Sequence, residues 1–355
     1  LLTQAAREIF PDCVCDSIEV ADGGEGTTEA VLSAVKGTTI PLKVHGPLWE
    51  ELTCSYGMLD EKRAVMEMAA ASGLPLVPDE KRDPRYTTSY GTGEMIRDAL
   101  ERGFRDISIA IGGSATNDGG IGCIRALGGR FLDENGEELK GCGGDLIKIK
   151  KIDISGLNPL IKECRFTVMC DVTNPLCGPE GCSAIFGPQK GADEAMVLEL
   201  DEGIKNLSRA ITEAIGKDIS EVPGTGAAGA MGAGMIAFFG SRLQMGIQTV
   251  LDTVKFDEMI SDADYIITGE GKLDSQSLRG KVVIGIAERA KKQNKNVIAV
   301  VGGADDAEID KAYEMGVTAV FPINRLPQDF SISRHHSKEN LAYTVDNVLR
   351  LIAAK

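Results

Sequence analysis

Several glycine-rich loops in this chain gather the residues able to do polar chemistry. The most heavily loaded is Asp264-Tyr-Ile-Ile-Thr-Gly-Glu-Gly-Lys-Leu-Asp-Ser-Gln-Ser277, with Gly280-Lys281 beyond it. A short apolar strand there delivers Thr268, Glu270, Asp274 and Gln276 to its carboxyl end, ahead of a helix whose N-terminus can face negative charge. Carboxylates beside a polyphosphate make sense with a cation between them, so two acids and Mg2+ account for Glu270 and Asp274. Alternatively, one of the acids takes the proton from an attacking hydroxyl. Lys272 reads equally as a ligand contact or as solvent-exposed charge, and Lys281 has the same bland alternative.

Asp22-Gly-Gly-Glu-Gly-Thr27 is the second such loop, set between a strand-like stretch and a helix start. Its glycines permit positive φ angles and exposed N–H groups that can meet an anion, while Asp22 and Glu25 can contact a hydroxyl or Mg2+. An acidic helix cap explains it equally well. Gly112-Gly-Ser-Ala-Thr-Asn-Asp-Gly-Gly120 is nine residues long without a bulky side chain. It offers a backbone nest, two hydroxyls, an amide and a carboxylate, a set suited to phosphates and a hydroxy acid, which argues for a ligand role over a structural turn. The loop lacks the Gly-Lys-Ser/Thr ending of a Walker A motif and the GxGxxG dinucleotide fingerprint. In Cys170-Asp-Val-Thr-Asn-Pro-Leu-Cys-Gly-Pro179 and Phe186-Gly-Pro-Gln-Lys-Gly-Ala192, Lys190 can approach a polyphosphate and Asn174 can hydrogen-bond a base or a phosphate-side group. Cys170, Cys177 and Cys182 lack metal-ligand spacing and read as small buried hydrophobes. Pro223-Gly-Thr-Gly-Ala-Ala-Gly229, leading into Ala230–Ala237, serves either close helix approach or nucleotide contact. Histidine is nearly absent, and His45, His335 and His336 stand outside every glycine-rich loop. Histidine acid–base chemistry, a two-histidine metal centre and a Ser-His-Asp triad therefore lack a candidate.

Fifty-three acidic against 38 basic residues leave a formal charge of −15 over 355 residues, with a pI near 4.8. That field repels polyanions and argues against nucleic-acid binding, whereas a small anion responds to local helix ends and basic side chains. Nine cysteines with no CxxC and no zinc-type spacing fit a reduced, cytoplasmic protein. Apolar runs such as Val297–Val301 and Met231–Phe239 fall well short of the roughly 20 residues of a membrane span, and no signal-peptide pattern opens the chain, so no membrane role is expected. Leu1 already reads as mid-helix, which leads us to expect a segment upstream of it. An assembly of identical chains stays open.

The elements that must position these loops alternate. Leu1–Phe10 reads as helix, Cys15–Val20 as strand and Thr28–Ala34 as helix; β-loop-α units recur at Ile107–Leu127 and Tyr265–Ala290. Asn296–Val301, Asp306–Met315, Ala319–Ile323 and Glu339–Ala353 continue the alternation, as a parallel sheet covered by helices requires. Pro41–Met68 and Phe131–Ile152 carry turn signals between strand-like stretches, predicting antiparallel strands. The fold class is α/β, with ligands expected outside the carboxyl ends of the parallel strands.

In this order, Asp22–Thr27, Thr88-Ser-Tyr-Gly-Thr-Gly93, Gly112–Gly120, Asn174–Pro179, Phe186–Ala192 and Thr268–Ser277 resemble the bacterial-type glycerate kinase family over nearly the whole chain. The resemblance implies ATP-dependent, Mg2+-assisted phosphorylation of D-glycerate, with 2-phosphoglycerate as the usual product and the 3-isomer as the lesser alternative. It also implies a flavodoxin-like parallel-sheet domain built from both chain ends, placed at 1–65 and 265–355, and an inserted mixed α/β domain at 66–264. Carried over, Asp22 and Asp274-Ser-Gln276 match acidic segments of the catalytic cleft, and Ser114, Thr116 and Asn117 match its phosphate- or substrate-facing loop. On this basis Asp274 is expected to polarise or deprotonate the glycerate hydroxyl, with Glu270 and Asp22 near the metal. Gly113, Ser114, Thr116, Asn117, Asn174 and Lys190 are expected on the nucleotide, Lys190 neutralising phosphate. Arg85, Ser89, Thr92 and Gln276 are expected on the substrate, Arg85 taking its carboxylate. Two departures stand out. The family's opening strand and Ala-Pro-Asp-Ser-Phe-Lys-Gly segment have no counterpart here, so the first strand is expected to be missing; and Ala230 stands where many relatives have glycine, an exchange expected to matter by less than about 1 kcal/mol. A hydroxy-acid dehydrogenase suits an α/β chain but needs the missing GxGxxG. A non-catalytic small-anion-binding or regulatory protein on the same scaffold is the remaining alternative.

Overall fold

Alternating residues over Thr38–His45 (β1) and Glu51–Met58 (β2) fold back on one another as an antiparallel hairpin, closed where the Gly46 N–H donates to the Glu50 carbonyl at 2.7 Å. Pro41 sits in β1, the edge strand, where a missing ladder donor is tolerated. Arg63–Glu67 (β3) pairs antiparallel with β2 and parallel with Asp106–Ala110 (β4). Arg130–Leu132 (β5) and Lys151–Asp153 (β6) form a separate antiparallel pair. Arg165–Met169 (β7) and Arg242–Gln244 (β8) extend the main sheet in parallel, giving the order β1-β2-β3-β4-β7-β8. The parallel strands are rich in buried residues, among them Ala64, Met66, Ile107, Ile109 and Val168. Helix Tyr90–Glu101 buries Met95, Ile96, Ala99 and Leu100, the spacing of one helical face. Helix Glu194–Ile215, capped by the Asp193 carboxylate accepting from the Met196 N–H, buries Leu200, Ile204, Leu207 and Ile211 in the same way.

Tyr265–Thr268 (β9), Asn296–Val301 (β10) and Ala319–Pro322 (β11) make a parallel sheet in the order β11-β10-β9. Central β10 is buried from Val297 to Val301, the continuous apolar run expected of a strand covered on both faces. One face, Ile298 and Val300, packs with Val345, Val348 and Leu349 of helix Ser337–Ala353 and with Leu2, Ala5, Ala6 and Ile9 of helix Leu2–Ile9.

The structure is a computed structural model that describes residues 1–20, 24 and 26–354, with only the backbone of Phe330. Expected site residues Asp22 and Glu25 lie outside the described residues. The α/β class holds, with a mixed sheet in one unit and a parallel sheet in the other. Two sequence expectations are corrected. Cys15–Val20 alternates like a strand, yet it forms none among the described residues. The domain boundaries also move: the units are Ala21–Thr249 and Leu1–Val20 with Val250–Lys355. Residues 21–65 join the inner unit because β1 and β2 reach β4 through the β3 ladder, and residues 250–264 join the chain ends. No helix among the described residues is long and apolar enough to cross a membrane.

Candidate functional site

In the inner unit, β4 runs into the 112–120 loop, and left-handed Gly113, Gly119 and Gly120 (φ +72°, +65° and +76°) turn it into helix Ile121–Ala126. Asp118 anchors this turn from a fully buried position. Its Oδ2 accepts from the Ser89 N–H (2.8 Å), the Ser89 hydroxyl (2.7 Å) and the Gly122 N–H (3.3 Å), and its Oδ1 from the Gly120 N–H (3.2 Å). Burial pushes the Asp118 carboxyl above the ordinary range while these bonds oppose the rise. Sequence reasoning noted this carboxylate without giving it a role; the signal was an acid placed just before Gly-Gly at a helix start.

Lys190, 2 % exposed, inserts its ammonium into the same loop. Nζ donates to the Ser114 hydroxyl at 3.0 Å and to the Thr116 carbonyl at 2.6 Å. Both acceptors are neutral, and burial pulls the Lys190 pKa down to about 8. Next to it Asn117 Nδ2 donates to the Ser183 hydroxyl at 3.1 Å. Thr116 Oγ1 and Asn117 Oδ1 are buried and have no hydrogen-bond partner among the described residues. A cationic head, a hydroxyl and a carboxamide oxygen with unused capacity, gathered on a glycine-hinged loop, can receive the oxygens and hydroxyls of a phosphorylated or carboxylate ligand.

The 223–230 segment is built against this loop. Ala228, Gly229 and Ala230 adopt φ of +54°, +65° and +68°, a full left-handed turn. A side chain at Gly229 would meet the Thr116 carbonyl at 2.0 Å, and the Gly229 carbonyl accepts from the Gly119 N–H at 2.8 Å. The expectation for Ala230 is therefore corrected: an L-residue held left-handed costs roughly 1–2 kcal/mol, more than backbone freedom alone. Such strain persists where surrounding contacts over-determine it.

Several expected ligand contacts are engaged elsewhere. Ser89 is completely buried, its hydroxyl donating to Asp118 and accepting from the Cys123 N–H (3.0 Å). Thr92, equally buried, shares a 2.9 Å hydrogen bond with Ser72. Arg85 is gripped by Asp83 (Nη2 at 2.7 Å) and reaches Glu199 at 3.4 Å. Asn174 Nδ2 donates to the Glu180 backbone carbonyl (2.9 Å), while the Asn174 backbone carbonyl accepts from the Gly226 N–H (3.1 Å). In these four residues the polar groups are taken up by protein partners: Ser89 by Asp118, Thr92 by Ser72, Arg85 by Asp83 and Glu199, and Asn174 by the backbone of Glu180 and Gly226.

In the unit of chain ends, the loops after β9 and β10 run side by side: Gly302 N–H to Glu270 carbonyl (3.1 Å), Leu273 N–H to Gly303 carbonyl (2.9 Å) and Asp305 N–H to Leu273 carbonyl (2.9 Å). Gly269 is required there, since a side chain would lie 2.2 Å from the Val300 carbonyl. Asp274 Oδ1 accepts the N–H groups of Gln276 (2.9 Å) and Ser277 (3.3 Å), and the Ser277 hydroxyl accepts the Asp274 N–H (3.2 Å). The carboxylate thus caps the turn Ser277–Arg279 with one oxygen, Oδ1. Gln276 Oε1 accepts from Lys281 Nζ at 3.4 Å, and Glu270 is half-buried on the same loop. Among the described residues no three acidic, histidine or cysteine side chains form a metal cluster. The hard carboxylate of Glu270, at the carboxyl end of parallel strands, still suits Mg2+, which is commonly held by one or two carboxylates together with substrate phosphates.

A family model described as "Glycerate kinase family" matches residues 1–353. The chain is 52% identical over 318 residues to "Glycerate 2-kinase" of Escherichia coli (strain K12), covering 89% of this chain and 83% of that protein. It is 44% identical over 350 residues to "Glycerate kinase" of Haemophilus influenzae, covering 98% and 92% of the two chains. The crystal structure of a protein assigned as glycerate kinase 2 from Salmonella typhimurium LT2 superposes with a TM-score of 0.88 at 43% identity, covering 99% of this chain and 92% of that one.

Proposed function

The chain belongs to the glycerate kinase family, and from that premise we propose that it transfers the terminal phosphoryl group of ATP to the C2 hydroxyl of D-glycerate, releasing ADP and 2-phospho-D-glycerate. The observation that carries this reading is the Lys190 ammonium, buried against Ser114 and the Thr116 carbonyl beside two buried oxygens, Thr116 Oγ1 and Asn117 Oδ1, that have no hydrogen-bond partner among the described residues. That arrangement supplies fixed positive charge and hydrogen-bonding capacity, which is most of what phosphoryl transfer asks of a protein. Lys190, Thr116 and Asn117 are assigned to the anionic groups of the ligands, with Gly113 and Ser114 shaping the loop around them. The C2 preference is supported by the name of the relative at 52% identity.

In the transfer, the substrate hydroxyl oxygen bonds to the γ-phosphorus, the bond from that phosphorus to the bridging oxygen breaks, and the hydroxyl proton passes to a carboxylate. Asp274 is assigned as that acceptor through the oxygen that does not cap the 277–279 turn. Glu270 is assigned to Mg2+, which when bound would draw charge from the phosphate oxygens, and for Asp22, outside the described residues, a metal role rests on the family resemblance alone. Ser89 and Thr92 are assigned to holding the 112–120 loop, and Asn174 to joining the 174–180 and 226 turns. Gln276 lies exposed beside Asp274 and is assigned to the substrate. The three parallel strands β9–β11 with their covering helices support a flavodoxin-like reading of the chain-end unit. Coupled ADP release with ATP, Mg2+ and D-glycerate, followed by phosphorus NMR of the product, tests the proposal: glycerate-dependent turnover to the 2-isomer is expected. Ligand binding by the folded protein without turnover would instead point to a small-anion-binding protein.

A further inference from the structure

We propose that Arg82 is the cation that takes the carboxylate of the hydroxy-acid substrate, the role the sequence pattern assigns to Arg85. This rests on the kinase reading and adds to it the residue that separates an acid from its neutral analogues. Arg85 has no nitrogen to spare: Nε and Nη2 bond Asp83 (3.0 and 2.7 Å) and Nη1 reaches Glu199 at 3.4 Å. Arg82 differs. Its Nη2 lies 2.7 Å from Asp79, and its Nε is buried with no hydrogen-bond partner among the described residues. A buried donor without an acceptor is uncommon in a folded protein and calls for one. The Asp79 pair holds the guanidinium only weakly, because the aspartate side chain is 85% exposed and solvent screens the attraction.

The backbone brings Arg82 to the buried lysine. It follows the single turn Asp79–Lys81 and is pressed against Gly191, the residue after Lys190: a side chain at Gly191 would lie 2.2 Å from the Arg82 carbonyl and 2.7 Å from its Cβ. Farther along, the Thr87 hydroxyl donates to the Ala115 carbonyl at 3.0 Å. The 82–87 segment therefore runs, within one unit of the fold, from the loop that supplies the Lys190 ammonium to the loop that holds Ser114 and Thr116. The two cations suit different anions. An ammonium is a compact charge that serves phosphate oxygens from any side, whereas a guanidinium presents two parallel N–H groups that match the two oxygens of a carboxylate. Turned off Asp79, Arg82 offers Nε and one Nη as that pair, and the donor that lacks an acceptor gains one. Asp79, already exposed, passes to water. No proton moves and no covalent bond changes. D-glyceramide, in which an amide replaces the acid, brings one acceptor and no charge, and forfeits the pair.

Steady-state kinetics of wild type, Arg82→Gln and Arg82→Lys with D-glycerate and D-glyceramide test the assignment. Arg82→Gln should lower kcat/KM for glycerate by about 10- to 100-fold, chiefly through KM, while kcat/KM for glyceramide and the KM for ATP stay unchanged. Arg82→Lys keeps the charge without the fork and should recover part of the loss. An equal loss on acid and amide makes Arg82 a structural residue, and a rise confined to the KM for ATP places it on the nucleotide; either result, or no loss at all, overturns the proposal. Should Arg82→Gln fail to fold, Asp79→Asn decides instead: with the guanidinium released, the KM for glycerate should fall about twofold, and an unchanged or higher value overturns the proposal. Folded wild type that turns over no glycerate counts against the kinase reading. Calorimetric titration of acid and amide into wild type and Arg82→Gln then decides Arg82 by the same comparison, and acid binding that is absent, or that Arg82→Gln leaves unweakened, overturns it.

Discussion

Replacing Lys190 by methionine tests whether a charge is stored in the 112–120 loop. The side chain is buried, donates only to neutral oxygens, and has its pKa lowered from 10.5 to about 8 by burial. In the unfolded chain it holds its proton up to the higher value, so between about pH 8 and 10.5 the unfolded state binds more protons than the folded one. Stability therefore rises with pH through that window and is reduced below it. At about 1.4 kcal/mol for each tenfold change in proton affinity, the lysine's contribution climbs by roughly 3 kcal/mol between neutral pH and pH 10.5. Lys190→Met removes this dependence, along with two hydrogen bonds whose orphaned acceptors cost about 1–3 kcal/mol each. Near pH 7 relief and loss offset one another, and the two proteins should differ by no more than about 3 kcal/mol. Urea unfolding of both at intervals from pH 7 to 10 reads the effect, since titrating groups that do not interact with Lys190 cancel in the difference, leaving the lysine and its electrostatic neighbours Asp118 and Cys182. A wild-type-minus-variant difference that stays flat across that range refutes the buried, uncompensated ammonium.

Three further outcomes follow from the same geometry. Gly229→Ala drives a methyl into the Thr116 carbonyl and should destabilise by about 3 kcal/mol or more, whereas Ala230→Gly relieves left-handed strain and should leave melting unchanged or raise it; calorimetry separates them. Ser89→Ala should lower stability by about 2 kcal/mol while the folded enzyme keeps its KM for glycerate, because the hydroxyl serves Asp118 and the Cys123 N–H; a large KM increase without loss of stability would return Ser89 to the substrate. Asp274→Asn keeps an oxygen to cap the 277–279 turn but cannot accept the proton, so kcat should fall by about 10²–10⁴-fold with little change in unfolding; undiminished kcat removes the residue from proton transfer.

The sequence by itself determined the element order and the location of the polar loops. Periodicity placed Asn296–Val301 as a buried strand and Ile121 as a helix start, and glycine density marked the 112–120 and 268–277 loops, because these signals come from local backbone and solvation preferences. Tertiary structure alone decided partnership. Whether Cys15–Val20 meets another strand, and whether residues 38–58 belong with β4, depends on ladders between distant segments. The same holds for side chains: Arg85 and Ser89 look available in sequence, and only packing shows that Asp83, Glu199 and Asp118 have already claimed them. Lys190 read as a lysine for phosphate, but its burial and its grip on Ser114 and Thr116 arise from bringing residues more than 70 positions apart into contact. Local composition can state which groups exist, while desolvation and hydrogen-bond satisfaction, which set their charge and freedom, are properties of the folded neighbourhood.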